Sequence, residues 1–425
     1  MPPLWNVFNQ RSLFIREPNE VRILRLVRDS GEISRIEISK ECELNKAYVT
    51  ELVSKLIQAG FLEETRKVEG SDRVGRKRIL LQFRPLAGLV AGVDIGMTHV
   101  TVALTDLNAN ILQQETFPYT AESAVQELFS RVASTIHALL TAAHYSQSRL
   151  VGIGIGIQGL VDYTTNTLIF AQNKKSWQGE SLSAELEMRF NVPVYVENDV
   201  KAMTLGEYLL GAAKGTKNFV HIFVGDGLGA GIMINGHLYR GFTSSAGEIG
   251  YNGVEFSTYF SENFPYTFRD QSMFGEILTN ENFIESYRVN APQAGKQELT
   301  VAAIAHKADN GDPVALHIID EFVSLLSMMS INLVNTLNPE IIIIGGKLAQ
   351  AYPASATMLQ ERIHKDLLAA PAEAVRVKTA KHGDGGVILG AAGLVLYELF
   401  EPLYSTSLRA IRRHSATKAK TATTH

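Results

Sequence analysis

Glu197, Asn198 and Asp199 stand together at the end of a β-rich run, Val194-Tyr195-Val196. A helical pattern follows at once, with Ala202, Leu205 and Leu209 near helical spacing. The chemistry these residues offer is hydroxyl chemistry. Asp199 can accept a hydrogen bond or a hydroxyl proton, and the Asn198 amide can both donate and accept. A strand tip that delivers an amide and a carboxylate into a helix start is a common way to build a small-molecule site. The same two residues would serve equally as a plain helix cap. The elements around them decide between these readings.

A chain of 425 residues has room for two or three domains with sizeable cores. Its 45% hydrophobic and 20% charged residues are those of an ordinary soluble globular protein. No run of about 18 apolar residues occurs, so no membrane span is expected. The first residues, MPPLWNVFNQ, open no long apolar core with a small-residue cleavage site, and a cytoplasmic protein is expected. A single cysteine, Cys42, excludes an intrachain disulfide and a multi-cysteine zinc site.

The net charge of −4 hides an asymmetry. Residues 1–85 hold 16 basic and 12 acidic side chains, hence +4, and the remainder holds 24 and 32, hence −8. A basic end on an acidic body points to nucleic acid at that end. The stretch after Tyr404 carries five basic residues and no acid, and its ATKAKTATTH is low in complexity. A disordered tail is expected over 405–425.

Three helical patterns lie between Arg11 and Gly60. The first contains Val21, Ile23, Leu24 and Val27 and stops at Ser30-Gly31. The second opens on Ser34 with Glu37 three places later, a capping-box spacing, carries Ile36 and Ile38 and ends near Cys42. After the turn Glu43-Leu44-Asn45, Asn45 reads as the N-cap of a third helix reaching Ala59, with Val49, Leu52, Val53 and Leu56 inward. Phe61 to Thr65 reads as a strand and Arg78 to Phe83 as its return, with a polar wing between them. This is a winged helix-turn-helix, whose second helix of the pair enters the major groove. The residues expected on DNA are Lys46, Ala47, Tyr48, Thr50 and Lys55 on that helix, and Arg76, Lys77 and Arg78 beside the wing. Arg73 joins this basic cluster, which could equally be a solvated charge run, and a small helical protein-binding domain is the competing reading of the unit.

From Leu86 onward strands and helices alternate. A strand over Leu89–Asp94 ends in a Gly-containing turn, two strands and the helix Ala124 to Ala143 follow, and then the strand Val151 to Ile157. The series recurs from Phe219, with the turn Gly225-Asp226-Gly227, the strand Ala230 to Ile234 and an Asn235-Gly236 hairpin. A helix over Val314 to Leu337 reads as core. A duplicated unit of this kind is the layout of an α/β, two-lobed actin-like fold, RNase H-like and sugar-kinase-like, in which the lobes enclose a cleft.

The chain resembles the ROK family, which groups sugar-responsive repressors and sugar kinases. The resemblance rests on Asp94 to Thr98, Gly152 to Asp162, Trp177, Glu197-Asn198-Asp199, Leu205-Gly206-Glu207, Gly225 to Gly241, Gly247 to Gly250 and Asn338 to Gly346. It covers Leu86 to about Phe400, and the winged helix with its Gly75 to Arg78 linker resembles the repressor branch, of the xylose-repressor and N-acetylglucosamine-repressor type. The resemblance implies that Asn198, Asp199 and Glu248 bind sugar hydroxyls, that Gly159 and Asn173 line the same pocket, and that Tyr251 could add its hydroxyl. It places Asp199 where the kinases have their catalytic base.

Four departures from the kinases are visible. Met97 stands at a glycine of the first phosphate turn, where a side chain hinders backbone approach to phosphate. Asp226 replaces a threonine in the second turn and would repel phosphate. Tyr251 replaces the zinc-binding histidine, and 252–275 contain no cysteine, so zinc is not expected. Aromatic residues between Phe256 and Phe268 would fill that space, and Glu255 or Glu262 would stand for a further sugar-binding glutamate.

The expected boundaries are 1–70 for the winged helix and 71–86 for the wing and basic linker. The first lobe spans 87–200, completed by about 385–400, and the second lobe spans 201–384. The expected function is a sugar-responsive repressor with no catalytic role for Asp199. As a homodimer or dimer of dimers it would bind a palindromic operator, and a sugar in the cleft would close the lobes and move the heads out of register. Xylose or glucose is the expected effector type, by family analogy. The alternatives are an ATP-dependent sugar kinase with Asp199 as base, and a DNA-binding regulator whose effector site has decayed.

Overall fold

The computed structural model describes residues 18–68, 78–120, 122, 124–253, 273–292, 299–367 and 373–400. By their contacts these divide into two compact units. The first draws on Met1–Ile155, Ser181–Val196 and Ala392–His425, and the second on Gly156–Glu180 and Glu197–Ala391.

The first unit opens with α1 (Pro18–Ser30), β1 (Glu32–Ser34), α2 (Arg35–Glu41), α3 (Lys46–Gln58), β2 (Leu62–Val68) and β3 (Arg78–Phe83). The strands form a small sheet in the order β1-β3-β2. Ile23, Leu24, Val27, Ile38, Val49, Leu52, Val53, Leu56 and Phe61 are fully buried and form the core of this winged helix. Local chemistry sets its helix starts. Ser34 and Glu37 complete a capping box at α2, and the Asn45 side chain accepts from Tyr48 N at the head of α3. Three details differ from the sequence reading. Ile36 is exposed, because α2 is short and turns only Ile38 inward. β1 was not foreseen, being three residues shared between a strand and a cap. The first wing strand is Leu62–Val68 and not Phe61 to Thr65, since Phe61 is in the core and pairing with β3 continues past Thr65 to Val68.

The rest of the first unit follows β4 (Leu89–Ile95), β5 (His99–Asp106), β6 (Ile111–Pro118), α4 (Val125–Ala142) and β7 (Leu150–Ile157). The chain then makes the hairpin β8 (Leu160–Asp162) and β9 (Thr167–Phe170) and continues into α5 (Ala184–Phe190) and β10 (Val194–Asn198). One sheet runs β10-β7-β4-β5-β6. β7 is buried at every position, as a central strand should be, whereas β6 is polar and mostly exposed at the edge.

The second unit contains α6 (Asp199–Leu210), β11 (Phe219–Val224), β12 (Leu228–Ile234) and β13 (His237–Tyr239). After them come α7 (Phe274–Ile277), α8 (Asn280–Asn290), α9 (Val301–Asp309) and α10 (Pro313–Leu337). It ends with β14 (Ile341–Gly346), α11 (Lys347–Ala351), α12 (Ala354–Asp366), β15 (Arg376–Thr379) and the start of α13 (Gly386–Phe400). Its sheet order is β13-β12-β11-β14-β15. Read from β6, the first sheet runs 6-5-4-7-10, so each sheet is a hairpin meander extended on its other side by two later strands. The duplication expected from the sequence is therefore present. The β12–β13 turn has Asn235 at φ 54° and Gly236 at φ 78°, the conformation an Asn-Gly hairpin supplies. α10 is long and apolar enough to span a membrane, yet Ile318, Ile319, Phe322, Leu325 and Met329 are buried in the core of this unit.

The grouping by contacts differs from the expected boundaries, most of all over one stretch. Residues Gly156–Glu180 were expected in the first lobe and belong to the second unit. The Gly159 carbonyl is hydrogen-bonded to Asn198, which anchors this excursion at the head of α6. The chain enters α13 in the second unit and leaves it in the first, where Phe400 lies beneath Arg28 at 4.1 Å and edge-on to Phe83 at 6.1 Å between ring centroids. The tail 405–425, the linker 71–77 and the aromatic run Phe256 to Phe268 lie outside the described residues, as do Glu255 and Glu262.

Candidate functional site

α6 is buried from Val200 through Glu207, an unusual state for a helix that begins with a carboxylate. Glycines make room for it. A Cβ on Gly390 would lie 1.9 Å from the Ala202 carbonyl, and one on Gly231 would lie 1.9 Å from Thr204 Oγ1. The far end of α6 is pinned by Glu207, which accepts from the backbone N–H groups of Ala212, Lys381 and His382 at 2.6–3.0 Å.

At the near end Asn198 is the N-cap, its Oδ1 accepting from Lys201 N at 3.1 Å. Its Nδ2 donates to the Gly159 carbonyl at 3.0 Å and to Asp199 Oδ1 at 2.9 Å. Both amide donors are therefore committed, and one acceptor lone pair is left for a ligand. The residue proposed from the sequence as a ligand contact is thus the helix cap. Gly159 is held at φ 137°, where a Cβ would meet the Phe170 carbonyl at 2.7 Å, so the close approach to the end of β9 requires glycine.

Asp199 Oδ1 also accepts from Val200 N at 2.9 Å. Burial pushes this carboxyl up to about 6; the Val200 amide and the Lys174 ammonium oppose the shift and the Glu248 carboxylate adds to it. Burial likewise raises Glu248, against the pull of Lys201. Asp199 Oδ2 and both Glu248 side-chain oxygens accept no hydrogen bond from another residue among the described residues. Asn173 accepts from Lys174 Nζ at 3.3 Å.

The sequence reading named Asn173, Asn198, Asp199 and Glu248 but missed the charges that hold them. Lys174 and Lys201 are fully buried, and so is Glu197. Lys201 Nζ donates to the Ser244 carbonyl at 2.5 Å, and its ammonium is acted on by Glu197, Glu248 and Asp199. Arg240 Nε donates to Glu197 Oε2 at 2.6 Å, while its guanidinium stacks 4.3 Å above the Tyr163 ring. Glu197 Oε1 in turn accepts from Asn198 N at 3.0 Å. Glu248 sits in a loop that returns to β12, where Ala230 N donates to the Gly247 carbonyl at 2.8 Å. Gly247 has φ 89°, and a Cβ there would meet the Ala230 carbonyl. Tyr251 is 64% exposed and does not join this network among the described residues. It is the last residue of a short 3₁₀ turn (Ile249–Tyr251) whose first two residues, Ile249 and Gly250, are buried.

Two further features bear on nucleotide chemistry. Met97 and Asp226 are both exposed at the turns after β4 and β11. In the second unit a cavity of about 380 Å³ follows the Gly346 turn, lined by Asn280, Ile284, Thr300, Val301, Lys347 and Gln350.

On the winged helix, Lys46, Ala47, Thr50 and Lys55 are exposed along α3, and Tyr48 is half-buried. Lys55 pairs with Glu51 at 2.8 Å, an exposed contact that leaves its charge available. Arg78 lies 3.9 Å from Glu37, which ties β3 to α2. Arg73, Arg76 and Lys77 lie outside the described residues.

Comparison with known proteins adds to this geometry. The profile of the ROK family matches residues 90–398, and that of the MarR family matches residues 17–69. The xylose repressor of Caldicellulosiruptor bescii is 28% identical over 400 residues, 91% of this chain and 97% of its own. A crystal structure of a ROK family transcriptional regulator, a homologue of the E. coli MLC protein, superposes with a TM-score of 0.75. It is 24% identical and covers 91% of this chain and 96% of its own. A ROK family glucokinase from Streptomyces griseus, in complex with glucose and AMPPNP, is 25% identical with a TM-score of 0.57 over 72% of this chain and 99% of its own.

Proposed function

The chain belongs to the ROK family, and on that premise we propose that it is a sugar-responsive transcriptional repressor. The winged helix binds operator DNA, with Lys46, Ala47, Tyr48, Thr50 and Lys55 of α3 at the major groove and Arg76, Lys77 and Arg78 at the flanking backbone. A cytoplasmic homodimer or dimer of dimers would match a palindromic operator. The effector is a sugar, held by Asp199, Glu248, Asn173 and the remaining acceptor of Asn198, beside the Gly159 carbonyl. Tyr251, being exposed, contributes only from the rim.

The observation that carries this reading is the pairing of two things in one chain. A winged helix with an exposed recognition face precedes a site whose carboxylate oxygens are held in place yet unsatisfied. Sugars present neighbouring hydroxyls that donate to such oxygens, and a site built this way penalises ligands lacking them. For the sugar to act, it must bind the DNA-competent and DNA-released states with different affinity. Titrating a sugar panel against protein bound to labelled operator tests this. Release or tightening by a sugar is expected, and indifference to every sugar would leave only a DNA-binding regulator with a decayed effector site.

The kinase alternative is favoured by two observations. Asp199, at about 6, suits a general base near neutral pH, and the cavity after Gly346 has the size for a nucleoside. Asp226 and Met97 weigh against it, since a carboxylate and a side chain at the two turns disfavour phosphate binding. In the proposed reading the protein is not an enzyme, and Asp199 binds a hydroxyl without activating it. ATP turnover with any sugar of the panel would overturn this. Zinc has no part in the proposal, because 252–275 contain no cysteine.

A pH dependence follows from Asp199. Hydroxyl donors favour its ionised form, so sugar binding lowers its pKa and releases a proton near pH 6. Affinity therefore rises as pH goes from 5 to 7.5. Calorimetry in buffers of differing ionisation enthalpy at pH 6 should detect that proton.

A further inference from the structure

The outward line of α3 carries an acid. Val49, Leu52, Val53 and Leu56 bury one side of this helix, and Ala47, Thr50, Glu51 and Ser54 stand exposed on the other. Glu51 follows Ala47 by four residues, so the two share one line, a turn apart. Its carboxylate caps nothing, since Asn45 does that through Tyr48 N. Glu51 Oε1 lies 2.8 Å from Lys55 Nζ, with the glutamate side chain 60% exposed, and an exposed pair of this kind adds little to a helix. The fold therefore has no need of an acid here. The hydroxyls on the same face present oxygen and not hydrogen. Thr50 Oγ1 donates to the Lys46 carbonyl at 2.8 Å and Ser54 Oγ to the Thr50 carbonyl at 2.7 Å, so both protons turn back into the helix.

Resting on the reading of α3 as the helix in the major groove, we infer that Glu51 is a specificity residue that selects a cytosine in each operator half-site. Phosphate repels a carboxylate, so Glu51 cannot serve as a backbone contact. The hydrogen-bond donors in the major groove are the exocyclic amino groups of cytosine and adenine. Adenine carries its N7 acceptor beside N6, and that lone pair repels a carboxylate. Cytosine presents N4–H with no acceptor of its own on that edge. At guanine the carboxylate meets only O6 and N7, and at thymine only O4 and a methyl group, so binding is weakened at both. The same charge opposes loose binding to non-specific DNA, where phosphate contacts dominate.

The test uses the full-length protein in a selection from random duplex DNA. Competition against single-base-pair variants of the selected operator follows, at one fixed salt concentration. The parent should hold one C·G pair in each half-site and lose roughly five- to a hundredfold in affinity when that pair is changed. Glu51→Ala should abolish that penalty, keep the preferences at the other positions and bind random-sequence DNA more tightly. Glu51→Gln should move the preference at the same position from cytosine to adenine, because an amide donates to N7 while it accepts from N6–H. Both variants change an exposed side chain that caps nothing, so α3 stays folded. Unaltered base preferences in both variants would overturn the inference and leave DNA recognition intact. An equal loss at every position would also overturn it, as the mark of an ion pair that only supports the helix. A parent that enriches no sequence would remove the DNA-binding reading and this inference with it.

Discussion

Asp199→Asn is expected to give a protein that binds operator normally and no longer answers sugar. The substitution keeps an oxygen for the Val200 N–H and the Asn198 amide, so the head of α6 stays formed. It replaces the open carboxylate oxygen with an amide and removes a charged acceptor. A hydrogen bond to a charged group is worth about 1.5–3 kcal/mol, so sugar affinity should fall roughly 10- to 100-fold. Stability moves the other way. Burial raises the Asp199 pKa in the folded protein to about 6, so the fold prefers the protonated form. The favourable contribution is fully present below the unfolded pKa near 4, declines as pH rises, and is gone above about 6. The asparagine variant carries no such loss. At pH 7.5 it should melt at a higher temperature than the parent, and the two curves should converge toward pH 4. A variant that melts lower at pH 7.5, or that releases operator at the parent's sugar concentration, would contradict this assignment.

Arg240→Ala is expected to damage the fold and the site together. Glu197 is 1% exposed, and its partner is the Arg240 guanidinium at 2.6 Å. Deleting one member of a buried pair leaves an uncompensated charge and costs about 3–5 kcal/mol. The Tyr163 ring loses its stacked cation as well. Chemical denaturation should show that loss as a lower midpoint with an unchanged slope. Because Glu197 Oε1 accepts from Asn198 N, the cap of α6 should loosen and sugar binding should weaken in the protein that remains folded. The double variant Glu197→Gln/Arg240→Met should recover part of the stability, since it removes the uncompensated Glu197 charge but also takes one carboxylate from beside the buried Lys201. Failure of that rescue would mean Arg240 acts mainly through Tyr163.

These two residues also mark which signals the sequence carries locally and which it does not. Asp199 could be found because its signal is local: a β-rich run ending in Glu-Asn-Asp before a helix needs only a few consecutive residues. The Ser34–Glu37 capping box and the Asn45 cap were legible for the same reason, since the donor and the acceptor lie three residues apart. Asn198 was open between cap and ligand; the structure makes it the cap and leaves one acceptor lone pair uncommitted. Arg240 gave no such signal. It lies 43 residues from Glu197, and an arginine beside a glycine reads as an ordinary surface charge.

Lys201 and Lys174 are the clearer cases. A lysine, whether in a loop like Lys174 or in the first turn of a helix like Lys201, reads as solvent-exposed, because an unpaired ammonium is too costly to bury. Only when Glu197, Glu248 and the Ser244 carbonyl are brought around Lys201 can it be buried. The sequence by itself determined the winged helix, the duplicated strand order and the strand tip carrying Asn198 and Asp199, all of which rest on short-range periodicity and capping. Tertiary structure decided that Gly156–Glu180 groups with the second unit, that the Asn198 donors are spent internally, and that Lys174, Lys201 and Arg240 are drawn in beside Glu197, Asp199 and Glu248. Charge compensation is a property of groups far apart in the chain, and no local pattern encodes it.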